Sequence, residues 1–197
     1  LAFFLLKAYS PLALIILIFI VSLNVLPSFI ALKYTYFKKT NQDDSIIKLF
    51  IKGYKLSIKE SIKASALFTG LLLIFYVDYL YFSQRGWTIV AIFFIIAALV
   101  LSYFIMSYAN IHARFSFSIK ETLQLSMMYM MKMIKPVAMS LLFLFAFFWF
   151  LKAGAKISVF FMFAAIAKIS NTGSKHVLDE IYYYHTEEGI KEREKNK

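Results

Sequence analysis

Cysteine is absent from this chain, and carboxylates number only 11 against 22 lysines and arginines. The missing cysteine excludes disulfides, thiolate metal sites and cysteine nucleophiles together, and it leaves no redox clue to compartment. Metal-ligand spacing is missing as well. His112, His176 and His185 form neither HxxxH nor HExxH, and no acidic cluster stands beside them. There is no G-x-S-x-G turn, and "GSK" at 173 to 175 lacks the upstream glycine of a phosphate-binding loop. The residues therefore point away from an enzyme and imply no cofactor and no metal.

What is present is apolar. Hydrophobic residues make up 61% of the chain, with 22 Phe and 13 Tyr, and the mean hydropathy is +0.70. That share exceeds what an ordinary soluble domain can bury. The apolar runs are continuous rather than alternating, which disfavours a transmembrane barrel, and several approach the ~20 residues that a ~30 Å hydrocarbon core requires of a helix. The expected fold is all-α: a polytopic helical membrane protein of about five spans, with amphipathic cytoplasmic helices. Spans are expected at 11–32, 64–82, 88–109, 133–151 and 155–170, giving a membrane domain over 1–170 and a cytoplasmic tail over 171–197. "LAFFLLK" at the start reads poorly as a signal peptide, because Lys7 follows the apolar run instead of preceding it.

Two features of the first span matter. Ser10 and Pro11 suit a helix start, and Pro27 interrupts the run, with Ser22 and Asn24 near enough to bond the disturbed backbone. Either the helix kinks at Pro27, or the chain turns there and residues 27 to 37 add a short sixth element. "SQRGW" closes the second span with a turn.

Orientation follows from the Lys/Arg bias of short connections. Eight lysines lie in 33–63, four Lys/Arg in 110–135 and six in the tail from 168, against Lys7, Arg85, Lys152 and Lys156 on the other side. The first group is expected in the cytosol, with the C-terminus.

In "KLFIKGYKLSIKESIK", Lys48, Lys52, Lys55, Lys59 and Lys63 form one helical stripe at 100° per residue. Ile47, Phe50, Ile51, Tyr54, Ile58 and Ile62 form another beside it. Such a helix suits the headgroup region, its apolar face down and its lysines on anionic lipid. A partner site and simple enforcement of topology are the alternatives. Nucleic acid is not expected, because the stripe runs straight into a span without a linker to hold a binding module. Asp43, Asp44 and Ser45 provide acidic residues and a cap for its start.

Ser118 and Glu121 have capping-box spacing for a second cytoplasmic helix. Five of the eight methionines follow at 127 to 133, as a flexible partner surface or as packing against neighbours or lipid. "SIKES" at 57 and "SIKET" at 118 hint at a repeated unit. Asp78 is the one carboxylate within a predicted span. Together with Asn24 and Pro27 it is a candidate intramembrane polar site; pairing with Arg85 or hydration at the outer end is the structural alternative. The aromatic clusters Tyr76, Tyr79, Tyr81 and Trp87, and Tyr34, Tyr36 and Tyr182 to Tyr184, fall where interfacial belts belong. Val177, Leu178, Ile181 and Tyr182 are placed to form one helical face against the membrane or a partner, with a solvated tail helix as the default.

The order of "LPSFIALKYTYFKK", "DDSIIKLFIKGYKLSIKESIKAS", "LLLIFYVDYLYF" and "YANIHARFSFSIKETLQLSM" resembles the YesL family (the DUF624 domain) of small bacterial integral membrane proteins, over roughly residues 8 to 170. Where that family often has a run of small residues after the first proline, this chain has "PSFIA". The resemblance implies a multi-pass protein of the bacterial cytoplasmic membrane. It further implies a non-enzymatic accessory subunit of a carbohydrate uptake or utilisation system, with ABC sugar importer subunits as partners. It supplies no catalytic residue. The alternative function is a small transporter or permease in its own right.

Overall fold

The computed structural model describes residues 11–39, 45–115, 117–140, 142 and 159–195, and among them every regular element is helical. They form α1 (Pro11–Lys39), α2 (Ile46–Gln84), α3 (Thr88–Arg114), α4 (Ile119–Met128), a 3-10 turn (Met131–Met133) leading into helical residues 134–140, α5 (Val159–His185) and α6 (Glu187–Lys195). Three helices are long and apolar enough to cross a membrane: Phe19–Lys38 within α1, α2 and α3. The chain is thus all-α and carries candidate spans befitting a multi-pass membrane protein. The predicted spans 133–151 and 155–170 lie largely outside the described residues.

One expectation is corrected in α1, which runs unbroken through Pro27 for 29 residues, so no turn or returning element begins there. A proline in a helix loses one backbone bond and crowds the preceding turn. Here the ring is fully buried. Ser22 Oγ donates to the Phe19 carbonyl at 2.7 Å and Asn24 Nδ2 to that of Ile20 at 3.5 Å. Both acceptors lie about two turns before the proline, and neither is the Leu23 carbonyl that Pro27 leaves without a backbone donor.

A second correction concerns the lysine stretch. It is not a separate helix lying in the headgroup plane, because α2 is one helix of 39 residues. At ~1.5 Å per residue that is roughly 58 Å, about twice the hydrocarbon thickness. Upright across a bilayer, α2 would carry about half of its length beyond the hydrocarbon. Ser45 sits at the N-cap position but makes no side-chain capping bond.

α1 and α2 form an antiparallel hairpin whose register is fixed at two points. Ser65 Oγ donates to the Ser22 carbonyl at 3.2 Å, and Tyr34 packs directly against Gly53. The α1 residues beyond Asn24 therefore run beside the lysine-bearing part of α2, not beside its apolar run from 64. α2 and α3 are joined at Arg85 and Gly86, where glycine takes φ +75° and the Trp87 N–H reaches the Phe82 carbonyl at 3.0 Å. This is the stop predicted from "SQRGW". Phe82 then stacks on Phe94 with ring centroids 5.6 Å apart.

Helices converge at the lysine-rich end. One core there joins α1, α2 and α3 through Leu26, Ile30, Ala64, Phe68, Tyr108 and Ala109. The other joins the end of α3 to α4, the 3-10 turn and α5 through Ile111, Leu125, Met133, Val137, Leu178 and Ile181. α5 crosses the expected boundary at 170/171 without a break. Its Val177, Leu178 and Ile181 face is buried within the chain rather than solvated.

α4 starts as predicted: Ser118 Oγ accepts from the Glu121 N–H, and the Glu121 carboxylate accepts from the Ser118 N–H at 2.9 Å. "SIKES", in contrast, sits mid-helix in α2, where Ser57 Oγ bonds back to the Gly53 carbonyl at 2.9 Å. The two near-copies adopt different local structures.

Candidate functional site

All five lysines of the stripe, Lys48, Lys52, Lys55, Lys59 and Lys63, are exposed. In the adjoining apolar stripe Ile47 and Ile51 are exposed, while Phe50, Tyr54, Ile58 and Ile62 are half-buried. The buried face is Leu49, Gly53, Ser57, Ser61, Ala64, Ser65 and Phe68, a seam of mostly small residues that lets two helix backbones approach closely. A Cβ on Gly53 would stand 2.7 Å from the Tyr34 ring and 3.0 Å from its Cβ.

Asn24, Pro27 and Asp78 are not assembled into one site. Asn24 Oδ1 accepts from the Tyr54 hydroxyl at 3.2 Å, which places it at the level of the lysine segment. Asp78 lies roughly 20 Å of helix beyond Ser65, at ~1.5 Å per residue. Arg85 lies over the Tyr81 ring at 4.4 Å rather than on Asp78. Trp87, Tyr76 and Tyr81 are exposed at that far end, as a belt requires.

The polar site that does assemble was counted in the sequence only as part of a basic connection. Lys33 is fully buried among α1, α3 and α5. Its Nζ donates to Asn110 Oδ1 and lies 4.7 Å from the centre of the Phe29 ring. Ser170 Oγ donates to the same Asn110 oxygen at 2.9 Å, and Asn110 Nδ2 donates to Ser174 Oγ at 3.1 Å. Asn171 Nδ2 closes the set on the Lys33 carbonyl at 3.3 Å. Among the described residues the ion pairs are Arg114–Asp179 and Lys132–Glu180, and Lys33 belongs to neither. A buried ammonium held only by an amide carbonyl and a ring face is costly. A residue of that kind near a membrane marks a functional candidate. The sequence signal was present as Ser170, Asn171 and Ser174 at one helix-face spacing in the helix that begins "VFFMFAAIA".

Beside this cluster the C-terminal ends of α1 and α3 and the middle of α5 line a cleft of about 830 Å³. Lys38, Arg114, Lys168 and Lys175 supply its cations, Glu188 its one carboxylate, and Asn171 belongs to its wall. A separate apolar cavity of about 350 Å³ lies among α1, α2, α3 and α5, lined by Leu26, Phe29, Phe68, Ile105, Met106 and Ile166.

The remaining candidates are dispersed. Met127, Met128 and Met131 are exposed while Met133 is fully buried. His112 stacks on Tyr108 with ring centres 5.4 Å apart, and His185 Nε2 meets the Tyr129 hydroxyl at 3.2 Å. No group of His, Asp and Glu able to hold a metal occurs among the described residues. Glu121 is held below the usual carboxylate range by the Ser118 N–H and hydroxyl. Glu180 raises Lys132 above the ordinary lysine value, chiefly by accepting its hydrogen bond.

No family model, curated protein or solved structure matches the chain.

Proposed function

We propose that this chain is a non-enzymatic, multi-pass protein of the bacterial cytoplasmic membrane, with five spans and a cytoplasmic C-terminus, that serves as an accessory subunit of a membrane assembly. The observation that carries the reading is α2: one helix too long for a bilayer, its small-residue face engaged by α1 and its five lysines left exposed. A rigid basic strut of this form suits docking on a partner at the cytosolic surface. The resemblance to the YesL family makes the partner a subunit of an ABC-type carbohydrate importer.

Cross-linking in native membranes, then purification in mild detergent and mass spectrometry, tests the reading. Recovery with membrane-embedded importer subunits is expected, with loss of that association on Lys52→Glu, Lys55→Glu and Lys59→Glu together. Recovery of the chain alone overturns it.

The buried Lys33, Asn110 and Ser170 cluster favours a second reading, a small transporter whose polar centre lies at that level rather than at Asn24 and Asp78. Substrate flux into vesicles holding the purified chain alone supports it, and flux that survives Lys33→Met and Asn110→Leu together removes it.

A further inference from the structure

We propose that the cleft between the C-terminal ends of α1 and α3 and the middle of α5 is a binding site for a hydroxyl-bearing phosphate: the headgroup of a polyol phospholipid or a free polyol phosphate. Four cations from three different helices line one concavity, Lys38 closing α1, Arg114 closing α3, and Lys168 and Lys175 on α5. The α5 pair is two turns apart, and Thr172 adds a hydroxyl on the same face. Among the described residues Lys38, Lys168 and Lys175 have no carboxylate partner, while Arg114 donates to Asp179 at 2.5 Å and keeps further N–H groups. Positive-inside topology explains the sign of these residues but not their convergence on one cavity.

The second observation concerns hydrogen bonding. Asn171 is more than nine-tenths buried and belongs to the cleft wall. Its Nδ2 is committed to the Lys33 carbonyl, yet its Oδ1 has no donor. A buried acceptor without a donor is destabilising and calls for a partner. The surrounding ammonium and guanidinium groups call for an anion. A ligand meeting both demands carries a negative phosphate and, a few ångströms away, a hydroxyl. The volume of about 830 Å³ fits such a group. Tyr34, Tyr36 and Tyr182 line the same cleft.

Native mass spectrometry of the full chain in detergent decides the matter. The probes are dioleoyl phosphatidylglycerol, dioleoyl phosphatidylcholine and soluble glycerol 3-phosphate. Retention of phosphatidylglycerol over phosphatidylcholine supports a lipid source, and binding of glycerol 3-phosphate by itself supports a soluble one. Binding of neither in preference to phosphatidylcholine overturns the site. Lys168→Gln with Lys175→Gln, both exposed, is expected to weaken the preferred probe by about fivefold per cation removed. Lys52→Gln with Lys59→Gln, on the strut, is expected to leave it unchanged. Equal loss in both pairs reduces the effect to bulk surface charge and overturns the proposal. Asn171→Leu removes the orphan acceptor and is expected to weaken the glycerol-bearing probe. Should that variant not fold, the two lysine pairs still decide.

Discussion

The two ends of the α2–α3 hairpin are built on opposite rules. At the far end, Ile74, Val77, Ile92, Phe93 and Ile96 are exposed and Ala91 is the one buried hydrophobic residue of α3 before Tyr108. At the lysine-rich end the buried positions include Ser57, Ser61, Ser65, Ser107, Asn110 and Lys33. An apolar surface of that extent is the inverse of a soluble domain's. The contrast teaches which medium each end meets. Where lipid surrounds the helices, side-chain hydrophobicity does not drive one helix onto another. Where they converge, two hydrophobic cores join them, with small residues and polar contacts set between.

The largest expected effects would break the polar end. Asn110→Leu leaves the Lys33 ammonium buried without its acceptor and is expected to cost about 3 kcal/mol, read as a fall in thermal midpoint in detergent. Lys33→Met removes the charge itself and should cost much less, because no buried ion is left unpaired. A larger loss for Lys33→Met than for Asn110→Leu would show that the ammonium is a net stabiliser. At the apolar end, Ile96→Lys introduces a charge at the middle of α3. Membrane insertion of that segment is expected to weaken by about 3 kcal/mol in a glycosylation-reporter assay. An unchanged insertion efficiency would mean that this face does not meet lipid.

The glycines sharpen the contrast at smaller magnitude. Gly53→Ala places a methyl 2.7 Å from the Tyr34 ring and is expected to cost about 1–3 kcal/mol by overpacking. Gly70→Ala meets nothing within 4 Å and should be neutral or stabilising by up to ~1 kcal/mol through helix propensity. The pair thus reports whether the tight seam is confined to the basic end.

The smallest effect is one of pH. The folded pKa of Glu121 lies below its unfolded value because Ser118 hydrogen bonds favour the charged form. Its contribution is therefore present above the unfolded carboxyl pKa and lost as pH falls through the lowered folded value. Between pH 7 and pH 3 the wild-type midpoint should fall further than that of Glu121→Gln. Equal falls would show that the capping box contributes no pH-dependent stability.

Legibility divides along the same line as the molecule. The α2 and α3 spans, the Gly86 stop and the Ser118–Glu121 box could be read directly, because each depends on residues within a turn or two of one another. The contact face of α2 could not be read that way. The apolar stripe has the spacing of a lipid-facing surface, whereas the close contact with α1 runs along Gly53 and Ser57, whose small side chains let the backbones approach. At Pro27 local rules allowed either a kinked helix or a turn, and the helix continues. The apolar face of the tail could be read from its spacing, but not that α5 carries Val177, Leu178 and Ile181 into a core formed with α3 and α4.

The sequence by itself determined the medium, the helical class and the concentration of positive charge in a few connections, since composition and short spacing set all three. Only the tertiary structure decided that Lys33 leaves water altogether and meets Asn110, with Ser170 and Asn171 brought from the far side of the chain. Those contacts join residues 60 to 138 positions apart. Which polar groups share a buried site depends on how helices separated by loops settle against one another, and no local pattern encodes that register.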